Sequence, residues 1–349
     1  MSNPTDKSSS PKTLLPVRTI VLAGIAWAVL ALLFFLIFSV TTGDNRPVWY
    51  LIGTYVFEQV AYLSAALLCF RNWRSPQIVS GRNVWLGFGL GMLFYFIGNF
   101  IFGYWELALK IEPDISLADP FFIATYISLG WGMIQAVSSR RLNLEKWQWG
   151  IVAGIAAIGI VLAYLIAPPD FSNKAQAATP PSIVAQASAP ASPTAKPALK
   201  APAVQPTAKP KPTGTAKPAT NAKPAAAASR VSWIEELDNK LKFLVPWLTL
   251  FYVVSDIALL ILATMLLLAF WGGRFSQSWR MIAGATLSLY IADMWLKWAE
   301  RNIENYQSGS LPEVFWVFSG VLFAIGAALE YDTSSRSRRT GGGRRRPGS

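Results

Sequence analysis

The sequence contains no histidine. That absence removes bis-histidine haem, histidine-ligated zinc or copper, Ser-His-Asp catalysis and an imidazole pH switch together. Cysteine occurs once, as Cys69 within an apolar run, so no disulfide can form inside the chain. Its thiol reads as a small core hydrophobe. Charge is scarce too. Only 14% of the 349 residues are Asp, Glu, Lys or Arg, against roughly a quarter in soluble domains. There is no phosphate-binding loop, zinc-protease helix or nucleophile elbow. Neither enzymatic activity nor a cofactor is expected.

Apolar residues fill the space, at 53% hydrophobic and 13% aromatic, with 15 tryptophans. Indoles suit a membrane–water boundary because they join an apolar body to one polar handle. Eight segments reach the length needed to cross a bilayer: 18–40, 48–70, 84–105, 120–138, 148–167, 245–271, 279–299 and 312–330. The expected fold class is an all-α integral membrane protein with about eight transmembrane helices. The first segment follows Lys7, Lys12 and Arg18, but its run from Ile20 to Val40 is too long for a signal peptide, and no small-residue cleavage site follows. A retained helix is expected.

Loop charge sets an orientation. Arg71, Arg74 and Arg82 follow the second segment, Arg140, Arg141 and Lys146 the fourth, and Arg274 and Arg280 flank the turn after the sixth. The opposite loops carry Asp44, Glu112, Asp114 and Glu304. Basic residues resist translocation, so the basic end and both termini are expected in the cytoplasm of a bacterial plasma membrane.

The net charge of +12 is localised. Residues 171–229 hold seven lysines and no acid, and 332–349 hold six arginines and one aspartate, so the remainder is neutral. Nucleic acid is therefore not an expected partner. The tail suits anionic lipid headgroups. Residues 168–230 contain 13 of the 23 prolines amid Ala, Lys and Thr, which predicts a disordered extracytoplasmic linker. After it, Ser232–Glu235 reads as a capping box opening a short interfacial helix that ends near Pro246.

The chain also matches itself. At an offset of 194, Trp85 meets Trp279, Leu93 Leu287, Ile97 Ile291, Glu106 Glu300, Ser116 Ser310, Phe121 Phe315 and Gly132 Gly326. Conservative pairs include Asn99/Asp293, Asp119/Glu313 and Phe122/Trp316, and Glu58 aligns with Asp256 at a slightly different offset. Two parallel four-helix repeats are expected, with the linker inserted between them. The domains are then a tail at 1–17, membrane helices at 18–167, the linker at 168–230, further helices at 231–331 and a basic tail at 332–349.

The run Ser116-Leu117-Ala118-Asp119-Pro120-Phe121-Phe122 resembles the S-x-A-D-x-F-Y signature of multi-pass bacterial sensor regions that precede diguanylate cyclase (GGDEF) domains. Tyr252-Val253-Val254-Ser255-Asp256 is similar to their Y-P-x-x-D element. No GGDEF-like or EAL-like sequence follows here, so the resemblance implies an input module acting through a separate partner.

Ionisable groups inside hydrocarbon cost several kcal/mol and need a reason. Tyr55, Glu58, Asn99, Tyr252, Asp256 and Asp293 all fall toward the outer ends of their segments, where a polar ligand pocket is expected. The alternative is interhelical hydrogen bonding. Asp119 and Glu313 begin helices beside proline, and Ser310 to Glu313 has capping-box spacing, so Asp119, Ser310 and Glu313 are expected to cap. The spacing of Asp293 and Lys297 is similar to the retinal-bearing helix of microbial rhodopsins, but Lys297 lies near its helix end. Gly87-x-x-x-Gly91 and Gly150-x-x-x-Gly154 are expected at helix–helix contacts. Three functions fit: a sensory input module, a cation- or proton-coupled transporter or channel, and a structural subunit or scaffold.

Overall fold

The computed structural model of the protein describes residues 16–39, 46–109, 115–138, 145–166, 240–271, 273, 276–303 and 306–342. They belong to one compact unit. The linker and the Ser232–Glu235 capping box lie outside the described residues.

Among the described residues, eight long helices carry the fold. They are α1 (Val17–Phe38), α2 (Val48–Arg74), α3 (Arg82–Tyr104), α4 (Asp119–Ser138), α5 (Lys146–Ile166), α6 (Val245–Ala269), α7 (Ser276–Asn302) and α8 (Val314–Gly342). No strand occurs among the described residues. Seven of these helices are long and apolar enough to cross a membrane. The eighth, α7, has the length, but Arg280, Asp293, Lys297, Glu300 and Arg301 dilute its hydropathy. It is nonetheless packed inside the bundle, with Trp279, Ile282, Ala285 and Leu289 all buried.

Helix ends follow local chemistry. A 3-10 turn at Lys242–Leu244 leads straight into α6, whose first turn holds Pro246, where the missing N–H has no helical partner to lose. The helix expected to end near Pro246 therefore does not end there: the 3-10 turn passes directly into α6 and the helix continues through the proline. At the far end, α8 runs to Gly342, past the 330 boundary that hydropathy sets. Glu330 and Ser334 are buried, so packing carries the helix into what composition reads as tail.

Six helices close a ring in which α2 packs on α3, α3 on α4, α4 on α6, α6 on α7, α7 on α8, and α8 back on α2. Outside it, α1 lies against α8 and α2, and α5 lies against α6 and α7. Glycine permits the tightest approaches. A Cβ on Gly87 would sit 2.7 Å from the Cα of Gly132, so α3 and α4 touch backbone to backbone. Gly132 in turn faces the Val84 carbonyl and Phe88, and 194 positions on, Gly326 faces the Ser278 carbonyl and Ile282. The same contact thus occurs in both halves of the chain. By contrast, no described residue lies within 4 Å of a Cβ on Gly150 or Gly154. That pair makes no helix contact because α5 stands at the periphery.

Aromatic side chains fill the ring at the end bearing the basic loops. Trp85, Phe88, Trp279 and Phe323 are fully buried, and Phe270 stacks on Trp279 at 4.7 Å. Cys69 is free and fully buried in the same core, as a small hydrophobe should be.

Candidate functional site

At the opposite end the ring is open. A cavity of about 510 Å³ is lined by side chains from α2, α3, α4, α6, α7 and α8. All six residues expected in a polar pocket are in its wall: Tyr55, Glu58, Asn99, Tyr252, Asp256 and Asp293. Glu58, Asn99 and Asp256 are buried, while Tyr55, Tyr252 and Asp293 are half-buried. Both members of four sequence matches line it: Glu58 and Asp256, Asn99 and Asp293, Asp119 and Glu313, and Phe122 and Trp316.

Two acid-centred contacts lie in this wall. Where α2 meets α3, the Asn99 amide donates to Glu58 Oε2 at 2.8 Å. Where α6 meets α7, Asp256 faces Asp293, and neither side chain is an amide. The Tyr126 hydroxyl from α4 bridges them, 2.9 Å from Asp256 Oδ1 and 2.6 Å from Asp293 Oδ2. A phenol has one proton to give, so it donates fully to only one of the two. The Trp316 indole N–H adds a bond of 2.8 Å to Asp293 Oδ1. Asp256 Oδ2 is buried, and among the described residues no N–H or phenol O–H reaches it.

The helix-start residues do more than cap. Asp119 accepts the Ser116 backbone N–H at 2.6 Å, closing the turn that leads into α4, and also the Tyr252 hydroxyl at 2.7 Å. Glu313 accepts the backbone N–H of Gly309 at 2.6 Å and the Tyr306 hydroxyl. Ser310 departs from its expected role, since its hydroxyl makes no cap bond. With the Tyr306 proton directed to Glu313, the Ser310 hydroxyl instead donates to the Tyr306 oxygen at 2.7 Å and accepts from Arg46 at 3.2 Å. Burial, then the adjoining Glu313 carboxylate, pushes the Tyr306 phenol above its ordinary pKa, which keeps it a donor. Tyr55 donates to Glu106 in the π-turn Trp105–Leu109 that ends α3.

Tyr126, Trp316, Tyr95 and Tyr306 were not singled out by sequence reasoning, yet all line the cavity. Trp316 had a signal, as the partner of Phe122 in the internal match. Tyr126 had none, because the 194 offset sets it against Gly320.

The loop between α7 and α8 is strapped to the start of α2. Arg46 donates to the Ser308 carbonyl, and Tyr50 donates to the Gly309 carbonyl at 2.6 Å. Gly309 has φ +100°, and a Cβ there would meet Arg46 Nη1 and Tyr50 Cε1 at 2.7 Å. Gly309→Ala therefore combines backbone strain with a clash and should cost about 1–3 kcal/mol. A melting temperature equal to wild type in detergent micelles would contradict this.

In comparisons with known proteins, no family model, curated protein or solved structure matches the chain.

Proposed function

We propose that the chain is a multi-pass protein of a bacterial plasma membrane that binds a ligand from the outer face and passes a helix rearrangement to a separate partner. One observation carries this reading: a polar cavity from six helices opens at one end of the ring and is floored by packed aromatics at the other. A binding pocket needs that closed floor, whereas a conduction path needs a way through it. The membrane reading is supported by the seven long apolar helices. It is supported again by outward apolar residues along α1 and α5, and by Trp49, Trp147, Trp149, Trp247 and Trp298 exposed near helix ends. Arg71, Arg74, Arg82 and Arg280 lie at the end away from the cavity, which makes that end cytoplasmic under the positive-inside rule.

Two parallel four-helix halves, α1–α4 and α5–α8, are part of the same proposal. The matching Gly132 and Gly326 contacts support it, as do the paired cavity residues. Ligand sites between internal repeats are common in membrane proteins. The likeness to sensor regions preceding diguanylate cyclase domains fits an input role, with the partner supplying the output. The facing Asp256 and Asp293 carboxyls favour a second reading, a proton- or cation-coupled transporter.

Proteoliposome flux and ligand-dependent thermal stabilisation separate the two. Input function predicts stabilisation by a bound ligand with no ion or proton flux, and loss of that stabilisation in Glu58→Gln. Flux that falls in Asp293→Asn would replace this reading with transport. Variants that fold normally and alter neither property would leave a scaffold role.

A further inference from the structure

We infer that the cavity, read as a ligand site, takes an organic cation: a small amine whose ammonium group sits against Asp256 and Asp293 within an aromatic wall. This rests on the ligand-site reading above and names the chemistry of its occupant.

The charge of the lining is one-sided. Among the described residues, six acids line the cavity and Lys297 is the one base beside them. The Lys297 ammonium is already engaged, 3.1 Å from Glu300. Acidic clustering alone would not identify a ligand, but the hydrogen bonding does. Asp256 is 2% exposed, and among the described residues no N–H or phenol O–H reaches its Oδ2. A buried carboxylate oxygen without a donor is costly, most of all inside hydrocarbon. The α2–α3 contact shows how the chain meets this need, with the Asn99 amide donating to Glu58. At the α6–α7 contact the amide's place is taken by a second carboxyl, and Tyr126 brings a single proton to both. What is missing there is a group with several N–H donors and positive charge. An ammonium supplies both.

Two observations favour an organic cation over a metal ion. Among the described residues no group of three or more acids or thiols is close enough to hold a metal. The volume, about 510 Å³, lies within the roughly 300–1,000 Å³ of small-molecule pockets and far exceeds one ion. The wall also carries Tyr95, Phe102, Phe122, Tyr126, Tyr252 and Trp316. Aromatic faces attract cations by about 0.5–2 kcal/mol each and pack against apolar carbon.

The test uses the full chain in lipid nanodiscs and a size-matched series, 2-phenylethylammonium, 2-phenylethanol and phenylacetate, with spermidine as a second cation. Binding is read by calorimetry and thermal shift. The ammonium probes should bind saturably, and the alcohol and the carboxylate should not. Asp256→Asn and Asp293→Asn should each weaken ammonium binding about tenfold or more, the scale of one charge-assisted hydrogen bond. Asp332→Asn, which breaks an exposed ion pair to Arg336 at the other end, should change nothing. The charge preference of the unmutated protein is a readout that no folding defect can mimic. Equal or tighter binding of the alcohol or carboxylate overturns the cation and leaves a ligand cavity. Unchanged ammonium affinity in both folded variants overturns the assigned contact. Failure of every probe overturns the cation and the ligand-site reading together.

Discussion

Gly87→Ala is expected to lower the melting temperature of the protein sharply, while Gly150→Ala leaves it unchanged. Both glycines open a G-x-x-x-G motif in a long apolar helix, and by sequence they are indistinguishable. Their surroundings differ. A methyl at Gly87 would fall 2.7 Å from the Cα and 2.8 Å from the N of Gly132, and 2.9 Å from the Ser128 carbonyl oxygen. All three are backbone atoms, so no side chain can rotate away and α3 must move off α4. Overpacking of that kind costs about 1–3 kcal/mol, and more where the backbone itself must shift. At Gly150 there is open space on the outer face of α5, and alanine is the better helix former by up to about 1 kcal/mol. Thermal melts of the two variants in the same detergent check the contrast. Equal melting temperatures would mean that α3 and α4 do not meet as described.

The glycine pair also shows what the sequence could and could not carry. A close-packing motif records that a helix can be approached and says nothing about which neighbour approaches. Helix existence and order were legible, because apolar length and basic loops act locally on each segment. The ring was not. That α2 lies beside α8 and α4 beside α6 depends on contacts between residues more than a hundred positions apart, such as Tyr126 with Asp256. The acids in the site were legible because each is an anomaly in an apolar run. Tyr126 was not, since a tyrosine in an aromatic-rich helix is indistinguishable from a lipid-facing or packing residue until its neighbours are known. Ser310 illustrates the converse. Its spacing to Glu313 fits a capping box, but Arg46 and Tyr306, brought in from elsewhere, claim the hydroxyl.

Tyr126→Phe should destabilise the protein by about 1.5–3 kcal/mol, the range for a hydrogen bond to a charged group, and Asp293→Asn should restore much of that loss. The phenyl ring keeps the packing beside Phe251 and Tyr252, so the change is confined to the hydroxyl. Without it, Asp256 loses its donor at Oδ1 in addition to the one already lacking at Oδ2. Asp293 retains the Trp316 indole. Two carboxyls then face each other with almost nothing between them. An asparagine at 293 reproduces the arrangement of the first half, where the Asn99 amide donates to Glu58 across the same kind of helix contact. The effects of Tyr126→Phe and Asp293→Asn should therefore be strongly non-additive, with the double variant more stable than the sum of its parts allows. The interaction term, read from a cycle of four melts in nanodiscs, is expected to exceed about 1 kcal/mol in the stabilising direction. Simple additivity would mean that the hydroxyl does not bridge these carboxyls. The rescued double variant should also bind ammonium probes poorly, because the amide at 293 supplies the donor that the ligand would otherwise bring.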